Sequence, residues 1–395
     1  MQWQLFKQGW SAALTILALH SGVVAQAADW PTYQHDVRRS GFTAEQIDAT
    51  SLQLQWSWRS PSPPQPAWAG PAKWDAWSGV RGLPSMRSYD LVFHVIGVGE
   101  AVYFGSSADD SLHSLDAATG QKNWSFCTGG PVRIAPTYSE DKIYFGSDDG
   151  HAYCLRAADG ELVWKYSPAE NNRLVLNNGR LISFWPCRTG VLVEDGIAYF
   201  AASLLPWKES YLCAVDALTG RPAGKGQYVR NFAQTTRQGP PTAAGVQITL
   251  EGAPAASSQL LIFPQGRVPP RLFNRSDGKD LGNLKDRGGG SIVVISSDSH
   301  IHYGPGADTR AGSIDNADVN TREQVASYQE GSAIVIAGNM SYMLTDKSLI
   351  ASDWAQRKNQ WKVSSTYPYA LILAGDTLFA GGRDEVAAFR AQDGE

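Results

Sequence analysis

The sequence lacks the features that mark several common classes of protein. Among 395 residues it has four cysteines, no two of them adjacent, and no C-x-x-C-H haem-attachment motif. It also has no G-x-S-x-G nucleophile motif and no phosphate-binding P-loop. These absences remove the sequence signals for a haem-carrying electron carrier, an α/β-hydrolase and a P-loop nucleotide hydrolase.

Positive charge is not in excess either. The chain has 34 Lys and Arg against 38 Asp and Glu, which gives a formal net charge of -4. Nucleic acids and anionic membranes attract proteins through a basic surface. We therefore expect neither of them as a partner.

Long apolar runs are also scarce. The run over residues 11–24 is shorter than the roughly 20 residues that a membrane-spanning helix needs. It follows Lys7 and precedes the small residues of Ala25-Gln26-Ala27, a pattern typical of a cleaved export signal. The sequence thus predicts a signal peptide over residues 1–27, a mature chain without a transmembrane segment over 28–395, and a periplasmic or secreted location in a bacterial cell envelope.

Export would permit disulfide bonds between the cysteines. The four residues are Cys127, Cys154, Cys187 and Cys213. Four cysteines allow three pairings, and the sequence does not choose among these or a set of buried thiols.

The chain is rich in glycine, proline and tryptophan, and two of its stretches repeat each other. Residues 102–124 and 143–164 each contain an aromatic strand, a turn that ends in Gly120 or Gly160, and a tryptophan, Trp124 or Trp164. A repeat of about 40 residues with several short strands is typical of a propeller blade. Weaker copies follow to the last residue and bring the total to seven units. The sequence therefore predicts an all-β fold, a seven- to eight-bladed β-propeller.

The ends of the chain allow two interpretations of how the ring closes. Residues 52–58 alternate like a strand and have no preceding strand to pair with. Either Leu54 and Trp56 pair with the blade of residues 378–389 and complete it, or the chain is a fragment whose final blade is missing. Closure is the first expectation, because a closed ring has no exposed sheet edge.

The repeat and the opening segment resemble the pyrroloquinoline-quinone (PQQ) type propeller family. The repeat reads [VI]-Y-F-G-S, then L-D-A-A-T-G, then W; the opening segment runs from Asp29-Trp30-Pro31-Thr32-Tyr33 to the strand at residues 54–56. The resemblance implies PQQ-like repeats in an eight-bladed ring. It also implies that Trp124 and Trp164 dock between neighbouring blades as structural residues.

The same resemblance bears on whether the protein is an enzyme. In the catalytic members, PQQ lies between a tryptophan and a disulfide ring of two adjacent cysteines, beside a calcium or lanthanide ion. This chain has no such cysteine pair, and it is similar to the non-catalytic branch that contains the outer-membrane-assembly scaffolds. We therefore expect no enzyme activity and no cofactor. The alternative is a divergent PQQ-dependent quinoprotein oxidoreductase with PQQ and calcium.

Two arginines are the strongest candidates for a ligand site. Arg133 and Arg188 each lie ten positions before the Tyr-Phe strand of their blade, so they occupy equivalent places in consecutive blades. At the channel, two guanidinium groups would favour a carboxylate or a phosphate. The alternative is separate ion pairs with channel aspartates.

Two further groups of residues are candidate sites. The Pro- and Trp-rich segment 60–86 predicts a long loop over one end of the ring, on which Trp68 and Trp74 could bind a ligand or pack against blade ends. Asp298, His300 and His302 alternate along one strand, and we interpret them as a solvated strand face without a metal.

The sequence as a whole favours a monomeric, exported, non-enzymatic binding or scaffold module. Its partner would be a protein or a small anionic ligand at one mouth of the channel. A glycan-binding propeller that uses the Trp-rich loop is a further alternative without a motif of its own.

Overall fold

The computed structural model describes residues 28–67, 94–205, 208–232, 248–266, 268–285, 288–305 and 312–395. The predicted signal peptide and the candidate residues Trp68 and Trp74 lie outside these ranges. The described chain contains thirty strands and one short 3-10 helix, Ala49–Ser51. None of its helices is both long and apolar enough to cross a membrane.

The strands form seven four-stranded sheets and one hairpin. The first strand in the chain is β1 (Phe42–Thr43). Sheet 1 contains β2 (Val95–Val98), β3 (Ala101–Ser106), β4 (Ser111–Asp116) and β5 (Lys122–Cys127). Sheet 2 contains β6 (Thr137–Ser139), β7 (Lys142–Gly146), β8 (Ala152–Arg156) and β9 (Leu162–Tyr166). The hairpin β10 (Leu174–Asn177) and β11 (Arg180–Ser183) follows.

The remaining sheets continue in chain order. Sheet 3 contains β12 (Leu192–Glu194), β13 (Ile197–Ala202), β14 (Ser210–Asp216) and β15 (Tyr228–Phe232). Sheet 4 contains β16 (Ala255–Ala256), β17 (Leu260–Gln265), β18 (Val268–Asn274) and β19 (Asp280–Asn283). Sheet 5 contains β20 (Ile292–Ile295), β21 (His300–Gly304), β22 (Ser313–Asp318) and β23 (Gln324–Gln329). Sheet 6 contains β24 (Gly331–Ala337), β25 (Met340–Thr345), β26 (Ser348–Asp353) and β27 (Lys358–Ser364), and sheet 7 contains β28 (Ala370–Ala374), β29 (Thr377–Gly381) and β30 (Val386–Arg390) with β1.

Each of sheets 1 to 6 is an antiparallel meander in which sequence neighbours pair. In sheet 7 the extra strand is β1, which runs parallel to β28 with Phe42 opposite Leu373. This arrangement of blade-like sheets confirms the predicted all-β propeller of seven to eight blades.

Apolar clusters lie between consecutive sheets, one for each contact from sheets 1 and 2 to sheets 6 and 7. Successive residues of a strand point to opposite faces. Ile143 and Phe145 therefore face sheet 1, while Tyr144 between them packs towards sheet 3. Both faces of a blade must be apolar, which explains the nearly continuous apolar runs of the middle strands.

Residues 30–43, which we call the axial segment, connect six of the sheets. Their backbone bonds run Trp30 N to Gly97 O (2.7 Å), Tyr138 N to Pro31 O (2.7 Å), Ala256 N to Val37 O (2.8 Å), Ile295 N to Arg38 O (2.9 Å), Ile336 N to Ser40 O (2.9 Å) and Leu373 N to Gly41 O (2.9 Å). One short segment can reach the first strands of six sheets only where those strands converge. In these six sheets the strand that begins the meander therefore lies nearest the axis. The axial segment covers the end of the axis where this strand turns into the next one along the chain. We call this the hub end, and the opposite end the mouth end.

The prediction that residues 52–58 pair as a strand with the last blade is wrong for this structure. These residues form no strand, and Leu54 is 86% exposed. The indole of Trp56 instead donates to Ala117 O of sheet 1 (2.8 Å) and lies against Gly120. Strand pairing would not bury leucines that face solvent, so it offers this segment no apolar gain. The docking of Trp56 positions the segment instead.

Candidate functional site

Tryptophans join neighbouring sheets at the hub end. The indole of Trp124 donates to Ala157 O (3.0 Å) and lies over Gly160, and that of Trp164 donates to Ala217 O (2.8 Å) and lies over Gly220. In sheet 3, whose fourth strand β15 carries no tryptophan, Tyr228 takes the equivalent place beside Gly278. Buried indoles that bond the next sheet have a structural role.

At the mouth end, Arg133 and Arg188 converge on one carboxylate. Asp148 lies in the turn between β7 and β8, and the two arginines lie in the loops before β6 and β12. Arg133 Nε donates to Asp148 Oδ2 (2.9 Å), while Arg188 Nε and Nη2 donate to Oδ1 and Oδ2 (both 2.9 Å). The equivalent positions of the two arginines thus bring them together, and the anion between them is a residue of this chain.

The carboxylate at the centre of this cluster is buried. Only 1% of the Asp148 side chain is exposed. Burial raises the pKa of this carboxyl, but Arg188 and Arg133 more than offset that effect and hold its pKa below the usual value. A small anion would have to compete with Asp148 for Arg133 Nε and for Arg188 Nε and Nη2, which already donate to this carboxylate.

The first part of the predicted Pro- and Trp-rich loop lies over this cluster. Arg133 Nη1 donates to Gln65 O (2.8 Å), and Gln65 N donates to Ser107 Oγ (3.1 Å). Asn177 and Asn178 of the hairpin turn donate to Ala67 O (3.0 Å) and Pro66 O (2.8 Å). Residues 65–67 therefore join sheet 1, the arginine cluster and the hairpin.

The hairpin β10–β11 presents leucines to solvent. Leu174, Leu176 and Leu181 lie on one face and are 54%, 69% and 63% exposed. The opposite face packs inward through Val175 and the buried Ile182. Large apolar side chains grouped on a projecting element are typical of an interaction surface. We call these three residues the leucine face.

The sequence interpretation missed this hairpin, although a signal was present. Leu174-Val175-Leu176 is followed by Asn177-Asn178-Gly179, and Asn-Gly is the strongest short-range hairpin signal. Asn178 and Gly179 have positive φ angles of 49° and 83°, as a type I′ turn requires.

Asp298, His300 and His302 do not form a joint site. Asp298 is exposed and pairs with Arg38 (2.7 Å), whereas His302 is fully buried. In the part of the chain that the structure describes, no group of three His, Cys, Asp or Glu residues could hold a metal ion.

The cysteines do not fit the platform that PQQ would need in a catalytic relative. Cys154, Cys187 and Cys213 are thiols buried in the apolar cluster between sheets 2 and 3, and Cys127 is exposed. Burial raises the pKa of the Cys154 thiol to about 12, so the group is protonated at neutral pH. These residues act as small apolar side chains, and no disulfide ring faces the channel.

Comparisons with known proteins point to one family of propellers. A family model described as outer membrane protein assembly factor BamB matches residues 48–248 and 108–395. A dehydrogenase subunit of a quinone-type alcohol dehydrogenase from Gluconobacter oxydans is 29% identical over 134 residues, which cover 30% of this chain and 17% of that subunit. The match thus spans about a sixth of that relative's length.

Solved structures agree on the fold. BamB from Moraxella catarrhalis superposes with a TM-score of 0.51 and 16% identity, over 73% of this chain and 81% of that one. The quinohemoprotein alcohol dehydrogenase of Comamonas testosteroni reaches a TM-score of 0.61 with 14% identity, over 94% of this chain and 72% of that one. At such low identities the likeness concerns the propeller fold alone.

Proposed function

The chain belongs to the family of the outer membrane protein assembly factor BamB, and from this premise we propose that it is a non-enzymatic scaffold of the bacterial cell envelope that binds a protein partner. The partner binds at the mouth end, through the leucine face of the hairpin β10–β11. Export by the signal peptide of residues 1–27 would place it in the periplasm.

The exposed leucine face is the observation that carries this proposal. Its three leucines lie next to one another, because Leu176 is paired directly with Leu181 and Leu174 is two residues away on the same face. Keeping such side chains in water costs free energy that a partner would recover.

The kind of partner follows from the geometry of the hairpin. It is a two-stranded sheet, so each strand has one edge that no other described strand covers. An extended segment can add to such an edge through its backbone and place every second side chain against the leucines. We therefore propose an extended, apolar segment of an envelope protein as the partner.

The Arg133, Asp148 and Arg188 cluster supports a scaffold better than a small-ligand site. Four of its donor nitrogens, two from each arginine, bond Asp148 and Gln65 O. We propose that it holds the mouth loops and residues 65–67 in place, and so positions the hairpin that bonds to Pro66 and Ala67.

A quinoprotein oxidoreductase is the second candidate, because the alcohol dehydrogenase subunit of Gluconobacter oxydans is similar over part of the chain. The cysteines do not fit that function. Titration of the full-length protein with PQQ and calcium tests it; tight binding together with dye-linked alcohol oxidation would favour the enzyme.

Complementation tests the scaffold role in a native bacterium from which the gene is deleted. The strain receives the wild-type protein, the double variant Leu176→Glu and Leu181→Glu, or the control Leu218→Glu, which changes a leucine of 52% exposure in the hub-end turn of sheet 3. The readout is the amount of folded outer-membrane β-barrel protein. We expect the wild type and the control to restore it and the double variant to fail at equal abundance. Full restoration by the double variant would remove the hairpin from the function.

A further inference from the structure

Five hub-end turns of the described chain accept a hydrogen bond from an aromatic side chain, and the ring of that side chain lies against a glycine of the same turn. The donors and the acceptors are Trp56 and Ala117 O (2.8 Å), Trp124 and Ala157 O (3.0 Å), Trp164 and Ala217 O (2.8 Å), Tyr228 and Arg275 O (3.2 Å), and Trp361 and Ala391 O (3.0 Å). The turn glycines are Gly120, Gly160, Gly220, Gly278 and Gly394, and all have positive φ angles.

The hub-end turn of sheet 5 departs from this pattern. Arg322 takes the place of the turn glycine, with a φ angle of 62°. The bond from Arg322 N to Asp318 O (2.8 Å) closes the turn in the same way as in the glycine turns. A long cationic side chain therefore projects from a position that elsewhere has no side chain.

The strand that faces this turn departs from the pattern as well. On β19 of sheet 4, Gly282 is paired with Leu272 directly after a bulge, as Trp124 is paired with Ser114 in sheet 1. An added Cβ at Gly282 would lie 2.6 Å from Arg322 Nη1, and the same nitrogen donates to Leu281 O (2.7 Å). The large and the small residue of the pair have thus changed places between strand and turn.

The exchange leaves one backbone acceptor without an aromatic donor. Val319 O is the counterpart of Ala157 O, since each belongs to the first residue of its turn, directly after the third strand. Val319 is 9% exposed, and its carbonyl accepts no hydrogen bond from the part of the chain that the structure describes. A backbone carbonyl at an interface needs a donor from a ligand or from water.

A groove of about 360 Å³ lies at this junction. Its volume is within the range of roughly 300 to 1,000 Å³ that is usual for pockets that bind small molecules or side chains. The apolar lining is Leu260, Leu272, Leu281 and Val319, and Arg322 lies beside it. The polar lining includes Ser258, Gln259 and Asn320, which are exposed and form a rim.

We propose that this groove binds a tryptophan side chain of a partner protein. The indole N–H donates to Val319 O, and the ring stacks on the Arg322 guanidinium and packs against Leu281. The other junctions support this occupant, because in four of them an indole donates to the equivalent carbonyl. The cation of Arg322 favours the face of an indole over that of a phenyl ring. The site lies at the hub end of sheets 4 and 5 and does not depend on the leucine face.

A fluorinated probe makes the binding of an indole visible. The sequence has 14 tryptophans, so intrinsic fluorescence would not isolate the ligand. The full-length protein is therefore titrated against N-acetyl-5-fluorotryptophanamide, observed by fluorine NMR. We expect saturable broadening of the probe signal and its reversal by N-acetyltryptophanamide. The 1-methyl derivative, which lacks the indole N–H, and N-acetylphenylalaninamide should compete at least tenfold more weakly.

Two variants and two matched controls locate the site. Arg322→Gln and Leu281→Ser should each weaken probe binding at least fivefold. Lys279→Gln, in the hub-end turn of sheet 4, and Leu218→Ser, in that of sheet 3, should leave it unchanged. Leu281 is 37% exposed and Leu218 is 52% exposed, so both serine variants are expected to fold, and thermal unfolding checks this.

Several outcomes would overturn the proposal. Equal competition by the 1-methyl derivative would show that no bond to Val319 O forms. Equal competition by the phenylalanine derivative would mean that the groove is merely apolar. Tighter binding of free tryptophan than of the blocked amide would indicate an amino-acid site instead of a contact with a protein. The absence of saturable broadening, or binding by both Arg322→Gln and Leu281→Ser like that of the wild type, would remove the site.

Discussion

Arg39 Nε donates a 2.8 Å hydrogen bond to Pro254 O, although the two residues are 215 positions apart in the chain. The same guanidinium donates through Nη1 to Thr32 Oγ1 (2.9 Å), Tyr33 O (2.9 Å) and Asp36 O (3.2 Å). Arg39 is 2% exposed, and burial lowers its pKa to about 10. One buried cation therefore fixes the fold of the axial segment and ties it to sheet 4.

Replacing Arg39 by alanine should destabilise the protein by about 3 kcal/mol, because four oxygen acceptors in buried or partly buried bonds would lose their charged donor. Urea unfolding of the two proteins measures the change. Arg38→Ala is the matched control, since Arg38 forms a solvent-exposed pair with Asp298 that should contribute less than about 1 kcal/mol. Equal effects of the two substitutions would contradict the role of Arg39.

Asp148→Asn should destabilise the protein by about 3 to 5 kcal/mol, because it leaves two buried guanidinium groups around a neutral amide. Asp159→Asn is the control, since Asp159 pairs with Arg156 on the surface. The pKa of Asp148 is lowered in the folded state. Its contribution to stability is therefore complete above the unfolded-state pKa of about 4 and is lost as the pH falls below it. A wild-type-like free energy of unfolding for Asp148→Asn would show that the cluster does not hold the mouth loops.

Acid should destabilise the protein through His302. Its folded pKa of about 3 lies below the unfolded value of about 6.5, so the unfolded chain takes up a proton that the folded protein excludes. Stability is therefore complete above about pH 6.5 and falls by about 1.4 kcal/mol per pH unit between that value and the folded pKa. Urea unfolding of wild type and His302→Gln at pH 7, 6, 5 and 4 measures this slope. The slope for the variant should be smaller by the contribution of one proton, which is about 1.4 kcal/mol per pH unit. Equal slopes for the two proteins would contradict the burial of a neutral histidine.

Gly160→Ala should cost more than Gly179→Ala, although both glycines have a positive φ angle, of 73° and 83°. An added Cβ at Gly160 would lie 2.6 Å from the ring of Trp124, whereas at Gly179 it would meet no atom within 4 Å. The backbone strain of about 1 kcal/mol is common to both, so the difference isolates the docking of the tryptophan. Thermal unfolding measures both variants, and an equal loss would mean that Trp124 does not pack on the turn.

The repeats could be read from the sequence because strand alternation and turn glycines leave a regular pattern. Ile143, Tyr144 and Phe145 show that pattern, and so do Trp124 and Trp164. The axial segment could not be found in this way, since it reaches six sheets through backbone groups, which no side-chain pattern records. The prediction of a closure strand at residues 52–58 is wrong because Leu54 and Trp56 alternate in the sequence as they would in a strand. The docking of Trp56 on Gly120 leaves no such pattern, since it depends on sheet 1 being folded. The meeting of Arg133 and Arg188 followed from their equivalent positions, but Asp148 between them did not.

We propose that the leucine face binds a protein of the outer-membrane assembly process. Site-specific photo-crosslinking in the native bacterium tests it most directly, with a photoreactive residue at position 176 of the full-length protein and, in a second strain, at position 218. We predict an adduct from position 176 with a protein that acts in outer-membrane protein assembly, lost when Leu181 is also changed to Glu, and no such adduct from position 218. The absence of an adduct from position 176, or the same adducts from both positions, would contradict the claim.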